Sequence, residues 1–146
     1  MKVFISIFFV LILINGKAHA NKLDLAEQKA KTEHKFILLN FSGSDWCGPC
    51  IRMHKEILEN EEFQKYSNSS LVYLNADFPR MKKHQFAAEI QKENEELAEK
   101  FNSEGTFPLT VLLDSNGKVI HKWEGFYANG PVLFTEEVKK LVENNR

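Results

Sequence analysis

The strongest constraint on this chain is the passage from Phe36-Ile37-Leu38-Leu39-Asn40-Phe41, through a short turn, into Cys47-Gly48-Pro49-Cys50. The six-residue run is apolar except for Asn40. It is too short for a helix and predicts a strand buried on both faces. Such a strand needs covering layers on either side, which points to helices packed on both faces of a sheet. Ser42-Gly43-Ser44-Asp45 reads as a turn. Beyond Cys50 the apolar residues Ile51, Met53, Ile57 and Leu58 recur at roughly helical spacing, and Asn60 is a plausible stop.

The pair of thiols therefore sits where a buried strand hands over to a helix. Unpaired N–H groups and the positive end of the helix dipole favour thiolate over thiol at that point. Thiolate is the attacking species in disulfide exchange. Two intervening residues let the second sulfur reach back to the first, and Pro49 fits a first helical turn, where its missing N–H costs nothing. Cys47 is expected to be the exposed nucleophile, and Cys50, one turn inside, the buried resolving thiol. Two other readings compete. An inert structural disulfide closes a loop too short to constrain the unfolded chain much. Half a zinc site needs about four ligands, and only two cysteines are present, with His54 nearby. No metal site is expected.

The rest of the chain fits one domain. Asp24 is placed to cap a first helix, with Leu25, Ala26 and Ala30 inward, ending near His34. Glu61 to Tyr66 predicts a short helical turn carrying Phe63, and Leu71–Ala76 a second strand. A long charged helix follows from about Gln85 to Phe101, with Phe86, Ile90, Leu97 and Phe101 on one side. Leu109–Leu113 is a third strand, Asp114-Ser115-Asn116-Gly117 a hairpin turn, and Lys118–Trp123 a fourth strand with Val119, His121 and Trp123 on one face. Thr135 is placed to cap a last helix with Val138, Leu141 and Val142 inward. The order α-β-α-β-α-β-β-α predicts an α/β fold with a central mixed four-stranded sheet flanked by helices.

The N-terminal 20 residues stand apart. Met1-Lys2 precede an apolar run from Val3 to Ile14, broken only by Ser6, and Ala18-His19-Ala20 is an A-x-A cleavage signature. This is the layout of a secretory signal peptide. Twelve residues fall short of the ~20 that span a bilayer, so a retained anchor is the lesser reading. Cleavage after Ala20 leaves residues 21–146 as the folded domain and moves the formal charge from −1 to −3, since Lys2 and Lys17 are lost with no acid. A mildly acidic surface argues against a nucleic-acid partner. Hydrophobic content of 43% with only 7 Gly and 4 Pro argues against disorder. An exported chain with two cysteines spaced C-x-x-C has committed both to one site.

With these residues in view, the chain resembles the thioredoxin superfamily. Phe41 and Trp46-Cys47-Gly48-Pro49-Cys50 match its W-C-G-P-C active site, and Phe107-Pro108 matches its cis-proline element. The hairpin and Gly125 extend the likeness over about residues 22–145. The Ser42–Asp45 lead-in and Asn75-Ala76-Asp77-Phe78-Pro79 resemble exported bacterial thioredoxin-like proteins, the broad group that includes the C-terminal domain of the transmembrane thiol-reductant conduit. The resemblance implies a thioredoxin fold and a thiol–disulfide oxidoreductase that reduces protein disulfides through a mixed disulfide. Cys47 and Cys50 are then catalytic, and Trp46, Gly48, Pro49, Phe107 and Pro108 meet the substrate. It implies no prosthetic group, a monomer, a membrane thiol donor as reductant, and a bacterial periplasmic location. The ending Glu143-Asn144-Asn145-Arg146 also lacks a reticulum-retention signal. Two departures from the family stand out. Asn40 occupies the position of a buried Asp and Tyr73 that of a Lys, leaving proton transfer to water, Asp45 or His54. Phe107 is bulkier than the usual residue before the proline. The alternatives are a folding helper using the proline groove, or a structural domain with an inert disulfide.

Overall fold

A computed structural model describes residues 20–146; the expected signal segment lies outside the described residues except for Ala20. Helix α1 (Lys22–Glu33) leads into strand β1 (Phe36–Ser42). Helix α2 (Gly48–Arg52) continues into a wider π-type turn (Met53–Leu58), and α3 (Glu61–Ser70) follows. Strand β2 (Leu71–Asp77), a loop with a 3-10 turn at Lys82–His84, α4 (Ala88–Phe101), β3 (Leu109–Leu113), β4 (Val119–Glu124) and α5 (Gly130–Asn144) complete the chain. The strands form one sheet in the order β2-β1-β3-β4, with β1 parallel to β2 and antiparallel to β3, and β3 antiparallel to β4.

All seven residues of β1 are buried, as a central strand covered on both faces requires. Alternation divides them. Ile37, Leu39 and Phe41 join Leu23, Ala26 and Ala30 of α1 and Leu97 and Phe101 of α4 in one core layer. Phe36 and Leu38 join Met53, Ile57, Phe63, Phe134, Val138 and Val142 in the other. By this period of two, Asn40 and Ser42 fall on the face that carries α2 and its cysteines.

Several boundaries differ from the sequence expectations, each for a local reason. The cap of α1 is Asn21, with Asp24 as the reciprocal partner three residues on: Asn21 Oδ1 accepts from the Asp24 N–H at 3.0 Å, and the Asn21 N–H donates to Asp24 Oδ2 at 3.3 Å. The inward residue is Leu23, and Leu25 is exposed. Asn60 starts α3 by accepting from the Glu62 and Phe63 N–H groups, and that helix runs ten residues. Helix α4 begins only at Ala88, leaving Phe86 in the preceding loop and Ile90 on its outer face, while Asn94 takes the inward place by donating to the Asp77 carbonyl at 2.8 Å. In β4 a bulge pairs Leu112 with His121 but Leu113 with Val119. The extra residue turns Val119 outward instead of beside Trp123. Thr135 is no cap: α5 starts at Gly130, and Thr135 is buried one turn in, its hydroxyl donating to the Pro131 carbonyl at 2.7 Å. The hairpin turn forms as expected, with the Asp114 carboxylate accepting from Asn116 and Lys118 N–H groups and Gly117 at φ +76°.

Candidate active site

Strand β1 ends at Ser42, whose carbonyl accepts from the Phe78 N–H at 2.8 Å. The chain then turns tightly, with the Gly43 carbonyl accepting from the N–H groups of Trp46 (3.3 Å) and Cys47 (2.9 Å). Gly43 is buried because the Trp46 indole packs on it: a Cβ there would sit 2.3 Å from the ring. Cys47 is the N-cap of α2, in extended conformation, and its carbonyl receives the Cys50 and Ile51 N–H groups. Pro49 lies in the first turn, and Gly48 and Pro49 are exposed at the tip.

Cys47 and Cys50 form a disulfide with a Cα–Cα distance of 5.2 Å. Cys47 Sγ accepts from the Cys50 N–H at 3.3 Å, a contact that stabilises charge on that sulfur when the bond opens. The expected contrast in exposure is small in this oxidised state: Cys47 is 6% exposed and Cys50 3%. What distinguishes the two sulfurs is the donor aimed at Cys47 and the cleft beside Cys50.

That cleft, of about 310 Å³, is lined by Ser42, Ser44, Cys50, Ile51, His54, Lys55, Glu59 and Asn75. Of the two side chains considered for proton transfer, His54 reaches it, with Nδ1 3.3 Å from Glu59 Oε1. Asp45 points elsewhere. Its carboxylate accepts from the Arg80 and Met81 N–H groups at 2.9 Å each and lies 3.0 Å from His84 Nδ1. The Arg80 N–H, then those of Met81 and His84, hold this carboxyl below its ordinary range against the opposing effect of burial. Asp45 is thus a clamp on the loop after β2.

Beneath the cleft runs a polar layer. Thr110 Oγ1 donates to Asn40 Oδ1 at 3.0 Å, and the Asn40 amide reaches Asn75 Oδ1 at 3.4 Å. Asp77 accepts from Ser42 Oγ (2.9 Å), the Ser44 N–H (2.8 Å) and Ser44 Oγ (2.5 Å). Tyr73 is 41% exposed as a residue, yet desolvation still pushes its phenol above its ordinary range; Asp77 adds to the rise, and Asn40 opposes it. A phenol so shifted stays protonated and does not replace the charge of a Lys.

On the other side of the disulfide turn lies an aromatic cluster. Trp46 meets Phe107 edge-on with centroids 5.5 Å apart, and Phe107 meets Phe78 at 5.6 Å. Trp46 Nε1 donates to the Phe78 carbonyl at 2.7 Å, and the Arg80 guanidinium stacks 3.7 Å over its ring. The Phe107–Pro108 peptide is cis. Pro108 is buried, and its carbonyl accepts from Gly125 at 2.8 Å. The Asn102 side chain takes both the N–H and the carbonyl of Thr106. Of the seven residues singled out from sequence, Cys47, Gly48, Pro49 and Cys50 form the disulfide turn, Trp46 precedes it and meets Phe107, and Pro108 follows Phe107 through the cis bond. Trp123 is core and Tyr127 is partly buried beside it: both pack on Phe134 and donate to Glu137.

Sequence reasoning passed over Gly43, the Ser42–Ser44–Asp77 contacts and Arg80. Gly43 carried a faint signal, a glycine just before an aromatic in a tight turn. Arg80 carried none, since its neighbour Trp46 is 34 positions away.

A C-x-x-C disulfide at the start of a helix that follows the central strand of a four-stranded mixed sheet defines a thiol–disulfide oxidoreductase. Residues 23–136 match the family model described as Thioredoxin-like domain, and the chain belongs to that family. It is 36% identical over 118 residues to the disulfide bond reductase DsbH of Chlamydia pneumoniae, covering 81% of this chain and 69% of that protein. It is 33% identical over 101 residues to the thioredoxin-related protein DsbJ of the same organism, covering 69% of this chain but 28% of that protein. The solved structure of a DsbH oxidoreductase superimposes with a TM-score of 0.73 at 33% identity, covering 81% of this chain and 79% of that one. The protein is accordingly a homologue of the disulfide bond reductases.

Proposed function

We propose that the protein reduces disulfides of exported proteins in a bacterial periplasm, with Cys47 as nucleophile and Cys50 as resolving thiol. The observation that carries this is the Cys50 N–H aimed at Cys47 Sγ at the helix start. In the reduced state the Cys47 thiolate attacks one sulfur of the substrate disulfide. A Cys47–substrate bond forms, the substrate S–S bond breaks, and the other substrate sulfur leaves as thiolate. Cys50 then gives up its proton and attacks Cys47 Sγ. The second substrate sulfur departs as thiolate, and the two electrons given up as the Cys47–Cys50 disulfide forms stay with the reduced substrate dithiol. His54 and water in the cleft take the Cys50 proton, since Asn40 cannot. A membrane thiol donor returns the protein to the dithiol.

Trp46, Gly48, Pro49, Phe107 and Pro108 receive the substrate. Among the described residues, the Phe107 N–H and carbonyl have no hydrogen-bond partner, which suits pairing with an extended segment. Gly48-Pro49 offers no charged or hydrogen-bonding side chain to the thiolate. Its stabilisation is therefore moderate and the direction is reduction.

Residues 1–20 direct export and are removed after Ala20. Amino-terminal sequencing of exported protein is expected to return Asn21; recovery of Met1 in membranes refutes cleavage. The central test is trapping. Cys50→Ser is expected to accumulate mixed disulfides on Cys47 that dithiothreitol releases, and Cys47→Ser to accumulate none. Adducts on Cys50 in place of Cys47 overturn the roles. Equilibration with glutathione giving a potential near about −120 mV, the strong-oxidant end of the known range, overturns the direction.

A further inference from the structure

The segment between β2 and α4 is unusual in its charge. Residues 78–87 contain Arg80, Lys82, Lys83 and His84 and no acid. All residues from Arg80 to Ala87 are exposed, including the apolar Met81 and Phe86. The next stretch reverses the sign: residues 88–104 hold Glu89, Glu93, Glu95, Glu96, Glu99 and Glu104 against Lys92 and Lys100.

This basic segment is fastened to the disulfide turn. Asp45, two residues before Cys47, accepts the Arg80 and Met81 N–H groups and contacts His84. Trp46, the residue next to Cys47, binds the Phe78 carbonyl through its indole N–H and carries the Arg80 guanidinium on its ring. The Asp45 carboxylate is thus engaged by the loop's own N–H groups. No carboxylate among the described residues comes within 4.0 Å of the Arg80, Lys82 or Lys83 side-chain nitrogens, whereas Arg52 on α2 is paired to Glu56. A basic lip with two exposed apolar side chains is held against Asp45 and Trp46, the two residues before Cys47, on a chain of net negative charge.

We propose that residues 80–86 form a specificity surface that selects protein disulfides flanked by acidic residues. The inference rests on the reading of Cys47 as a disulfide-reducing nucleophile. An acidic flank lying along Arg80, Lys82 and Lys83 brings its cysteine beside Trp46, and the acidic α4 repels the opposite alignment. Complementary charge of this kind raises encounter rates and disfavours wrong partners, and it weakens as salt screens it.

The test uses three peptide disulfides of equal length whose cysteine is flanked by Glu, Gln or Lys, with dithiothreitol as reductant. At low ionic strength the wild-type kcat/KM is expected to fall in the order Glu, Gln, Lys, spanning about tenfold or more from first to last. The span should shrink to within about twofold in 1 M salt, where the screening length is about 3 Å. The double substitution Lys82→Glu and Lys83→Glu is expected to reverse the order of the Glu and Lys peptides. Equal rates for the three peptides with wild type, or an unchanged order in the double variant, overturn the specificity surface. Failure of wild type to reduce any of the three instead overturns the reading of Cys47 on which it rests.

Discussion

Replacing Asn40 with Asp places a titratable group in the polar layer under the disulfide turn, and the structure sets how it must behave. Asn40 is 2% exposed. Its oxygen accepts from Thr110 at 3.0 Å, and its amide nitrogen faces Asn75 Oδ1 at 3.4 Å. A carboxylate keeps the first contact but sets oxygen against oxygen at the second. A protonated carboxyl restores a donor there. Burial and the lost donor both disfavour the charged form, so the folded pKa rises above the unfolded value of about 3.9. A rise of about two to three units, ordinary for a carboxyl at this depth, is worth about 3–4 kcal/mol. Because the folded value is the higher one, the variant keeps its stability below about pH 4 and loses it as pH rises through the folded pKa near about 6–7. The assay is denaturant unfolding of the oxidised protein from pH 3 to pH 9, with midpoints compared at constant slope. Wild type and Asn40→Asp are expected to come close together near pH 4 and to stand apart by the full amount at pH 8. A deficit that is flat with pH, or largest in acid, refutes the reasoning.

Gly43→Ala drives a Cβ into the Trp46 ring; near-ultraviolet circular dichroism and indole fluorescence are expected to report a displaced Trp46, with kcat/KM on protein disulfides lowered while Cys47 stays reactive to a small alkylating agent. Asp45→Asn removes a carboxyl whose folded pKa lies below 3.8. The stability it confers is present above that unfolded value and lost as pH falls through the lower folded one, so the gap between wild type and variant, read from denaturant midpoints, should be steady at neutral pH and close in acid. Phe134→Ala empties a fully buried site against Phe63, Trp123 and Tyr127, and calorimetry or denaturant unfolding should find a loss of about 3–5 kcal/mol.

The parts of the fold legible in the sequence were those encoded locally. Phe36–Phe41 announced a doubly covered strand because no polar face interrupts it, and Cys47 to Cys50 announced a helix-start dithiol because both residues lie within one turn. The expectations that shifted depended on contacts made at a distance. Phe86 and Ile90 fit a helical stripe by spacing, yet α4 turns Asn94 inward because the Asp77 carbonyl at the end of β2 needs a donor. Val119 fit an alternating strand until the bulge opposite Leu112 and Leu113 inserted one residue.

The site follows the same division, and this explains why its unusual features lie outside the W-C-G-P-C stretch. Backbone geometry at Cys47 follows from the strand, the turn and Pro49, all contiguous in sequence. The environment of each sulfur comes instead from β2 and the loop behind it, more than twenty residues on. Asn75 and Asp77 of β2 meet Ser42 and Ser44 to floor the cleft that opens on Cys50. Phe78 and Arg80 fix the indole next to Cys47. Asp45, which sequence offered as a proton acceptor, is spent on fastening that loop, and this leaves the Cys50 side to His54 and water. On the roles proposed above, the surroundings of both sulfurs depend on the end of β2, and changes there should alter rate and preference while leaving the Cys47–Cys50 geometry in place.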